Sequence, residues 1–462
     1  MSVTGECCRP TDLAARFRTA RSRTLTLCEP LSPEDMMVQS CPEASPAKWH
    51  LAHTAWFFES FLLREFLPGY HLYNDDFPWL FNSYYQSFAA FPEKRLRSSF
   101  SRPPLEQILA YREHVDRGVE SLLEHLQDAG PSHEALKRIE LGVNHEEQHQ
   151  ELLLTDMLHA LFTNPLRPAY LSLPEEPGAG VVGLAPETGE RTNPQVAGTA
   201  ISGAVPVLGF HSFPGGLCEA GHSGAGFCFD NERSRHRVWL DPYRLATRLV
   251  TCGEFAAFIA DAGYRRPELW LSPGWDALQS HGWRAPLYWS RPETDNTGSD
   301  WRIFTLRGEL PLTSMENVPV SHVSYFEADA YARWAGHRLP TEFEWEAAAE
   351  AQPVIGNLLD SGSLLPAPAP QAFQSQDPEA SVESPSQFFG DCWEWTASAY
   401  LAYPGFQPLP GSLGEYNGKF MSGQMVLRGG SCVTPAPHIR ASYRNFFPPE
   451  TRWQFSGIRL AL

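Results

Sequence analysis

Four long segments in the first 163 residues carry apolar side chains at the three- and four-residue spacing of helices. They run from about Thr11 to Cys28, Ala47 to Phe66, Pro104 to Gln127 and Ser132 to Phe162. Helices of this length, each with one apolar face, must pack against one another, and together they predict an antiparallel four-helix bundle. The cores of such bundles commonly hold metal ions on inward-facing side chains.

The second half of the chain has a different pattern. Short strand-like segments, such as Val238–Leu240 and Val426–Arg428, lie among many glycines, prolines and tryptophans. Two helix starts are visible at Ser324 and Thr341, because each hydroxyl is followed three residues later by a glutamate, as in a capping box. This half therefore predicts a domain of short strands with only a few helices.

Both patterns in one chain of 462 residues indicate an α+β multidomain protein. We predict three parts, namely a four-helix bundle in residues 1–163, a linker or small β excursion in 164–202, and a strand-rich domain in 203–462.

The acidic charge balance bears on the partners. There are 54 acidic and 36 basic residues, for a net charge of -18, which disfavours nucleic acid and anionic membranes as partners. The chain has no apolar run of about 18 residues and no signal-peptide pattern at its first residues, so we expect a cytoplasmic protein. The nine cysteines include no CxxC pair and predict reduced thiols rather than a disulfide framework.

A polar stretch, Asn144–Glu151, interrupts the apolar pattern of the last predicted helix of the bundle. Its two histidines, His145 and His149, are four residues apart and so lie on one face of that helix. A bundle core buries polar groups only when they are satisfied, and a metal ion can satisfy them. The pair therefore predicts a metal site that needs a third ligand.

The second predicted helix offers two histidines for the third position, His50 and His53. We favour His53 because it shares a face with Trp49 and Trp56, and we expect the site to bind metal without His50. Three neutral imidazoles suit iron with open positions for dioxygen and substrates, and zinc accepts the same ligands. The ligands alone do not choose the metal.

Five segments of the second half resemble the signature of the formylglycine-generating-enzyme-like domain, which has a C-type-lectin-like fold. They are Pro319–Ser324, Arg338–Glu346, Trp393–Thr396, Leu427–Ser431 and Phe455–Leu460. The first half is similar to a DinB-like four-helix bundle. Joined in this order, the two halves resemble the ergothioneine-pathway sulfoxide synthases over nearly the full chain.

This resemblance implies a metal and a substrate site. In that family iron(II) is bound by three histidines, which His53, His145 and His149 match. The family binds its histidine betaine, Nα-trimethylhistidine (hercynine), partly through a glutamine and an asparagine, whose places are taken by Gln148 and Asn445.

Aromatic residues complete the expected site. In one subgroup of the family the catalytic tyrosine lies in the N-terminal half, which points to Tyr84 or Tyr85 as the donor of a proton or hydrogen atom. The trimethylammonium group of hercynine cannot donate a hydrogen bond and prefers aromatic surroundings, which Phe446 and Phe447 can supply.

The expected thiol is cysteine. By resemblance, synthases that use γ-glutamylcysteine have an acidic residue and an arginine at positions where this sequence has Phe447 and Thr451. For the cysteine carboxylate we nominate Arg95 or Arg97.

We therefore predict an iron(II)-dependent oxygenase that couples cysteine to hercynine with O2 and forms a sulfoxide. One alternative within the same fold is an ovothiol-type synthase that couples cysteine to histidine, or a homologue that forms selenium–carbon bonds. An alternative of another class is a noncatalytic C-type-lectin-like binding module. Iron-dependent oxygen uptake stimulated by both substrates would distinguish the enzyme from the module.

Overall fold

A computed structural model describes residues 10–130, 133–172, 206–224, 226–291, 301–370 and 385–462. The chain divides into two compact units. The first contains the chain up to Thr163 together with two later segments, His222–Ser234 and Ala402–Lys419, and the second contains Asn164–Gly221, Arg235–Leu401 and Phe420–Leu462. Residues 173–202, most of the predicted linker, lie outside the described part of the chain.

The first unit is the helical bundle that the sequence predicts. Its helices are α1 (Pro10–Cys28), α2 (Ala47–Phe58), α3 (Arg64–Phe66), α4 (Phe77–Leu80), α5 (Leu105–His125) and α6 (Glu134–Thr163). A π-helical segment, Glu59–Leu63, joins α2 to α3. The four long helices pack as α1 on α6 and α2 on both α5 and α6.

Gly142 sets the close approach of α2 and α6. A Cβ atom at this position would lie 2.4 Å from the ring of Phe58, so any larger residue would push the two helices apart. This contact lies one turn before His145 on α6, and it therefore helps to fix the distance between the two helices that carry the predicted ligands.

A buried ionic network connects all four long helices. Glu146 on α6 is fully buried and accepts hydrogen bonds from Arg21 (2.8 Å) and Thr24 (2.7 Å) on α1 and from Arg112 (2.9 Å) on α5. Arg112 also donates to the Leu51 carbonyl of α2 at 2.9 Å. Burial alone would raise the pKa of Glu146, but the two arginines outweigh it and lower the pKa to about 2. Arginine and threonine side chains thus satisfy part of the polar stretch for which the sequence suggested a metal ion.

The second unit contains the strands. They are β1 (Phe210–Phe213), β2 (Gly216–Ala220), β3 (His236–Leu240), β4 (Tyr243–Ala246), β5 (Trp289–Ser290), β6 (Arg302–Thr305), β7 (Gly308–Pro311), β8 (Trp393–Ala399), β9 (Met425–Arg428), β10 (Asn445–Phe447) and β11 (Ser456–Gly457). The largest described sheet has the order β10-β9-β8-β11, in which only the β8–β11 pair is parallel. The others are β5-β6-β7, β1-β4 and β2-β3.

Five α-helices accompany these strands in the described part of the unit. They are α7 (Cys252–Ala260), α8 (Ser272–His281), α9 (Leu312–Met315), α10 (Tyr325–Trp334) and α11 (Glu342–Ala349). The two predicted capping boxes are confirmed, because Ser324 and Thr341 accept the backbone N–H of the third residue of α10 and α11 at 3.1 and 3.2 Å. The mixed helix and strand content confirms the predicted fold class. Among the described helices, none combines the length and the apolar character that crossing a membrane requires.

Candidate metal centre

Three histidine side chains meet inside the first unit. His53 comes from α2, and His145 and His149 come from α6. One ring nitrogen of each lies within 4.8 Å of those of the other two, so the group could hold a metal ion. Two metal–histidine bonds of about 2.0–2.1 Å can join nitrogens up to about 4 Å apart, so small inward shifts of the rings would bring all three to one ion. Of the two histidines on α2, it is His53 and not His50 that joins this group.

The protonation of these rings suits a metal ion. His53 Nδ1 lies 2.6 Å from the Phe81 carbonyl, which can only accept, so Nδ1 carries the proton and Nε2 keeps its lone pair. His145 Nδ1 is buried and has no hydrogen-bond partner among the described residues. Burial lowers the pKa of His145 to about 3. Burial, reinforced by the charge of His145, holds the pKa of His53 and His149 well below the ordinary value. Neutral imidazoles are the form that binds metal, so these residues fit a divalent transition metal.

Aromatic rings enclose the histidines. Trp49 and Trp56, both on α2, stack on His53, with ring centroids 4.4 and 5.1 Å from that of His53. Phe57 stacks on His145 at 4.5 Å. Rings held between other rings lose little freedom when a metal binds, and the apolar surroundings strengthen electrostatic interactions at the site.

Arg97 is a buried cation beside this shell. Its guanidinium carbon lies 3.5 Å from the centroid of Trp49, the ring that stacks on His53. It donates to the hydroxyls of Ser45 (2.8 Å) and Ser83 (2.9 Å) and forms no ion pair with a carboxylate in the described part of the chain. Burial lowers the pKa of Arg97 to about 10, which leaves it charged near pH 7. The indole N–H of Trp49 is also buried and has no acceptor among the residues described. Both features favour an anionic group next to the histidines.

Tyr85 belongs to the aromatic shell. It is 3% exposed, and its ring packs against Trp56 and Phe61 with centroids 5.6 and 5.0 Å apart. Burial raises the pKa of Tyr85, so the phenol keeps its proton near neutral pH. A phenol that stays protonated is the form that can donate a proton.

Tyr84 is half-buried and lies against the segment Ala402–Lys419. Its ring centroid is 6.1 Å from that of Tyr416, and the Lys419 ammonium donates to the Tyr84 carbonyl. Glu415 accepts backbone N–H groups of the same loop at 3.0 and 2.9 Å. Residues more than 300 positions away in the sequence therefore contact residues 82–88, the loop that carries Tyr84 and Tyr85 and is called the tyrosine loop below. No local sequence pattern could reveal this contact.

The remaining predicted site residues belong to different units of the chain. Gln148 is half-buried on α6 between the two histidines of that helix, whereas Asn445, Phe446 and Phe447 form β10 of the second unit. Asn445 Oδ1 accepts the backbone N–H of Phe446 at 2.9 Å, and its amide nitrogen makes no hydrogen bond to the described residues. Arg95 has 66% of its side chain exposed and pairs with a neighbouring glutamate. Of the two nominated arginines, only Arg97 lies against the histidine shell.

Two contacts of His50 were not predicted from the sequence. His50 Nδ1 lies 2.8 Å from His149 Nδ1, and His50 Nε2 lies 3.1 Å from an Asp156 carboxylate oxygen. A signal for this contact was present, because Asp156 follows His149 by seven residues, two helical turns, and lies in an otherwise apolar run.

Comparisons with known proteins agree with this architecture. Residues 16–153 match the family model of the DinB superfamily, and residues 205–462 match that of the sulfatase-modifying factor enzyme 1-like domain. Hercynine oxygenase of Mycolicibacterium smegmatis is 33% identical over 469 residues, an alignment that covers 97% of this chain and 98% of the relative. The chain belongs to the hercynine oxygenase family. It is therefore an oxygenase, which confirms the predicted enzyme class and argues against a noncatalytic module.

Two further relatives are similar to this chain. Hercynine oxygenase of Mycobacterium tuberculosis is 32% identical over 469 residues, covering 98% of this chain and 99% of the relative. Ergothioneine biosynthesis protein 1 of Schizosaccharomyces pombe is 28% identical over 238 residues, covering 51% of this chain and 27% of that protein. The family resemblance seen in the sequence motifs is thus confirmed, with the two hercynine oxygenases matched over nearly their full length.

Proposed function

We propose that this member of the hercynine oxygenase family is an iron(II)-dependent sulfoxide synthase that couples cysteine to hercynine with O2 in ergothioneine biosynthesis. The observation that carries the proposal is the buried group of three neutral histidines, in a chain aligned over nearly its full length with hercynine oxygenases. His53, His145 and His149 would hold the iron. Iron on three histidines supplies open positions for dioxygen and substrates together with redox chemistry.

The reaction balances with dioxygen as the only oxidant. The imidazole carbon between the two ring nitrogens of hercynine loses its hydrogen, the cysteine thiol loses its proton, and a carbon–sulfur bond forms. One oxygen atom of O2 is transferred to sulfur, and the other leaves as water with the two hydrogens. The chain's own residues bind and orient the two substrates, so that an improbable encounter of several molecules becomes a local event.

Gln148 and Asn445 are proposed to bind hercynine. Gln148 is adjacent to His149 on α6, and the amide nitrogen of Asn445, which makes no hydrogen bond within the described residues, supports a donor role toward the substrate. Phe446 and Phe447 are proposed to receive the trimethylammonium group, whose charge is attracted to aromatic faces.

The proposed function is tested with a matrix of substrates. Hercynine and histidine are each combined with cysteine, γ-glutamylcysteine and a selenium donor, and products are identified by mass after iron is supplied anaerobically. The expected product is the cysteine sulfoxide of hercynine. A product that forms only with histidine or the selenium donor would show that the chain catalyses one of the alternative reactions instead.

Arg97 is predicted to bind the carboxylate of cysteine. Replacing Arg97 by methionine removes a charge-assisted hydrogen bond of about 1.5–3 kcal/mol, so kcat/KM for cysteine should fall about 10- to 100-fold while the KM for hercynine changes little. Arg95→Met is the matched control, because its exposed ion pair contributes about 0–1 kcal/mol. Equal effects of the two exchanges on cysteine kinetics would remove Arg97 from the thiol site.

The tyrosine loop is predicted to deliver a proton or hydrogen atom. The Tyr84→Phe, Tyr85→Phe and double variants keep the ring and lose only the hydroxyl, so packing and iron binding should persist while sulfoxide formation falls about 10²- to 10⁴-fold in at least one of them. Thiol oxidation without coupling is the expected side reaction. Product analysis decides the point, with Tyr73→Phe as a control in the same unit. Unchanged product ratios in all three variants would exclude both tyrosines.

Cysteine is predicted to be preferred over γ-glutamylcysteine by about 10-fold or more in kcat/KM at saturating hercynine. The longer thiol adds an ammonium and a carboxylate, and leaving either buried without a partner costs about 1–3 kcal/mol. Phe447 is half-buried and apolar, and Thr451 is buried and uncharged, so neither supplies a charged partner. A preference for γ-glutamylcysteine would contradict this prediction without affecting the metal site.

A further inference from the structure

His50 connects a metal ligand to a buried carboxylate. Its Nδ1 faces His149 Nδ1 at 2.8 Å, and its Nε2 faces an Asp156 carboxylate oxygen at 3.1 Å. His50 and Asp156 are 2% and 6% exposed, so water does not compete for these hydrogen bonds. His50 is outside the group that could hold the metal, yet it contacts one of that group's members directly.

The three side chains admit one arrangement of protons that is compatible with a metal on His149. The Asp156 carboxylate only accepts, so His50 Nε2 carries a proton and donates it. If His50 also donated from Nδ1, His149 would accept at Nδ1, carry its proton on Nε2 and have no lone pair for a metal. His149 must therefore donate from Nδ1 to His50, which leaves its Nε2 unprotonated.

We propose that His50 and Asp156 are positioning residues that hold His149 in the tautomer whose Nε2 binds the metal. The inference rests on the proposed function, because it assumes that the histidine group holds a metal ion. Ligand histidines commonly donate their second N–H to a carbonyl or carboxylate, and losing such a partner lowers metal affinity about 10- to 100-fold. His53 follows this pattern through the Phe81 carbonyl, and His149 does so through His50.

Asp156 is itself held in place. The oxygen that faces His50 also accepts the backbone N–H of Ser45 at 2.8 Å, and the Ser45 hydroxyl accepts from Arg97 at 2.8 Å. Ser45 lies just before α2, and Asp156 lies on α6, two turns after His149. The orientation of the His149 ring is thus tied to the start of α2 and to the buried arginine of the proposed thiol site.

A purely structural role for His50 makes a different prediction from a positioning role. If His50 only filled space and satisfied Asp156, its replacement would lower the stability of the metal-free protein and leave metal affinity unchanged. If it fixes the tautomer, metal affinity must fall even in variants that fold normally.

The test titrates metal-free, full-length protein with cobalt(II), whose visible absorption reports the ligands, and repeats the titration with iron(II) under anaerobic conditions. His50→Leu and Asp156→Leu are expected to weaken metal binding about 10- to 100-fold and to alter the cobalt spectrum. His159→Leu is the matched control, because His159 is a half-buried histidine on the same helix that bonds Ser40 instead. Urea unfolding of the metal-free variants separates metal affinity from stability.

A conservative pair keeps the test informative if the leucine variants fail to fold. Asparagine can place its amide oxygen where His50 Nδ1 accepts from His149, whereas glutamine reaches toward the Nε2 position. His50→Asn should therefore bind metal more tightly than His50→Gln. Wild-type affinity in the leucine variants, or equal affinities of the asparagine and glutamine variants, would overturn the inference while the metal site stands. Failure of the wild-type protein to bind metal would instead contradict the proposed function.

Discussion

Alanine at His53, His145 or His149 is expected to remove bound iron and to lower the rate of sulfoxide formation by a factor on the order of 10³ or more. The reason is geometric. The three ligand nitrogens lie within 4.8 Å of one another beside stacked aromatic rings, and among the described residues no other group of three or more potential ligands comes this close together. Two histidines hold a metal less tightly than three, and no fourth residue belongs to this group in the described part of the chain.

Iron content and turnover of the three purified variants are the measurements. His114→Ala, at a half-buried position of α5 outside the group of three, is the control and should retain both. His50→Ala should retain part of its iron and turnover, because the exchange removes the hydrogen-bond acceptor of His149 and not a ligand. The sequence alone predicted that this variant would keep most of both. A His53→Ala protein that keeps its iron would overturn the ligand assignment.

Glu146→Ala is expected to destabilise the bundle by about 3–5 kcal/mol. The exchange leaves Arg21 and Arg112 buried without their shared carboxylate, and Arg112 also loses its only carboxylate contact within hydrogen-bond distance among the described residues. Removing one partner of a buried ion pair lowers stability far more than replacing the whole pair by apolar residues, because the remaining charge stays desolvated. His145 directly precedes Glu146 on α6, so partial loss of metal binding should accompany the loss of stability.

The matched control for this prediction is Glu120→Ala. The Arg18–Glu120 pair also joins α1 to α5, but its side chains are 62% and 41% exposed, so its loss should change stability by about 0–1 kcal/mol. Urea unfolding followed by far-UV circular dichroism measures both variants. Equal destabilisation by the two exchanges would mean that burial does not govern this network.

The stability from Glu146 has a defined pH dependence. Its pKa falls from 4.5 to about 2 on folding, so the contribution is present above about pH 4.5 and is lost as the pH falls toward 2. The Glu146→Ala variant should therefore lack this part of the acid unfolding transition.

Helical periodicity was sufficient to predict the bundle because apolar side chains recur at helical spacing along each long segment, including α2, whose residues are all buried. The predicted and observed ends of α1, α5 and α6 agree within about two residues, as expected from the fraying of helix ends. The π-helical turn after α2 was not predictable, since one inserted residue per turn does not disturb the apolar pattern enough to be noticed. The short strands of the second unit could be recognised as a class but not paired, because their partners are set by tertiary contacts.

Part of the metal site could also be predicted from helical periodicity. Two histidines one turn apart specify a face of α6, and the tryptophans that share a face with His53 distinguish it from His50. The partners of these ligands were not visible, because each is a pairing between helices, such as His50 with His149. Contacts of Glu415 and Lys419 with the tyrosine loop span more than 300 residues and have no local signal at all.

We propose that iron on the three histidines drives oxidative coupling of cysteine to hercynine. This claim is tested most directly by supplying labelled dioxygen to the iron-loaded protein with both substrates and measuring the product mass, with the His145→Ala protein treated identically. The predicted result is a coupled product that carries one labelled oxygen on sulfur, formed by the wild-type protein and absent from the variant. An unlabelled product, or equal product from the His145→Ala protein, would contradict the claim.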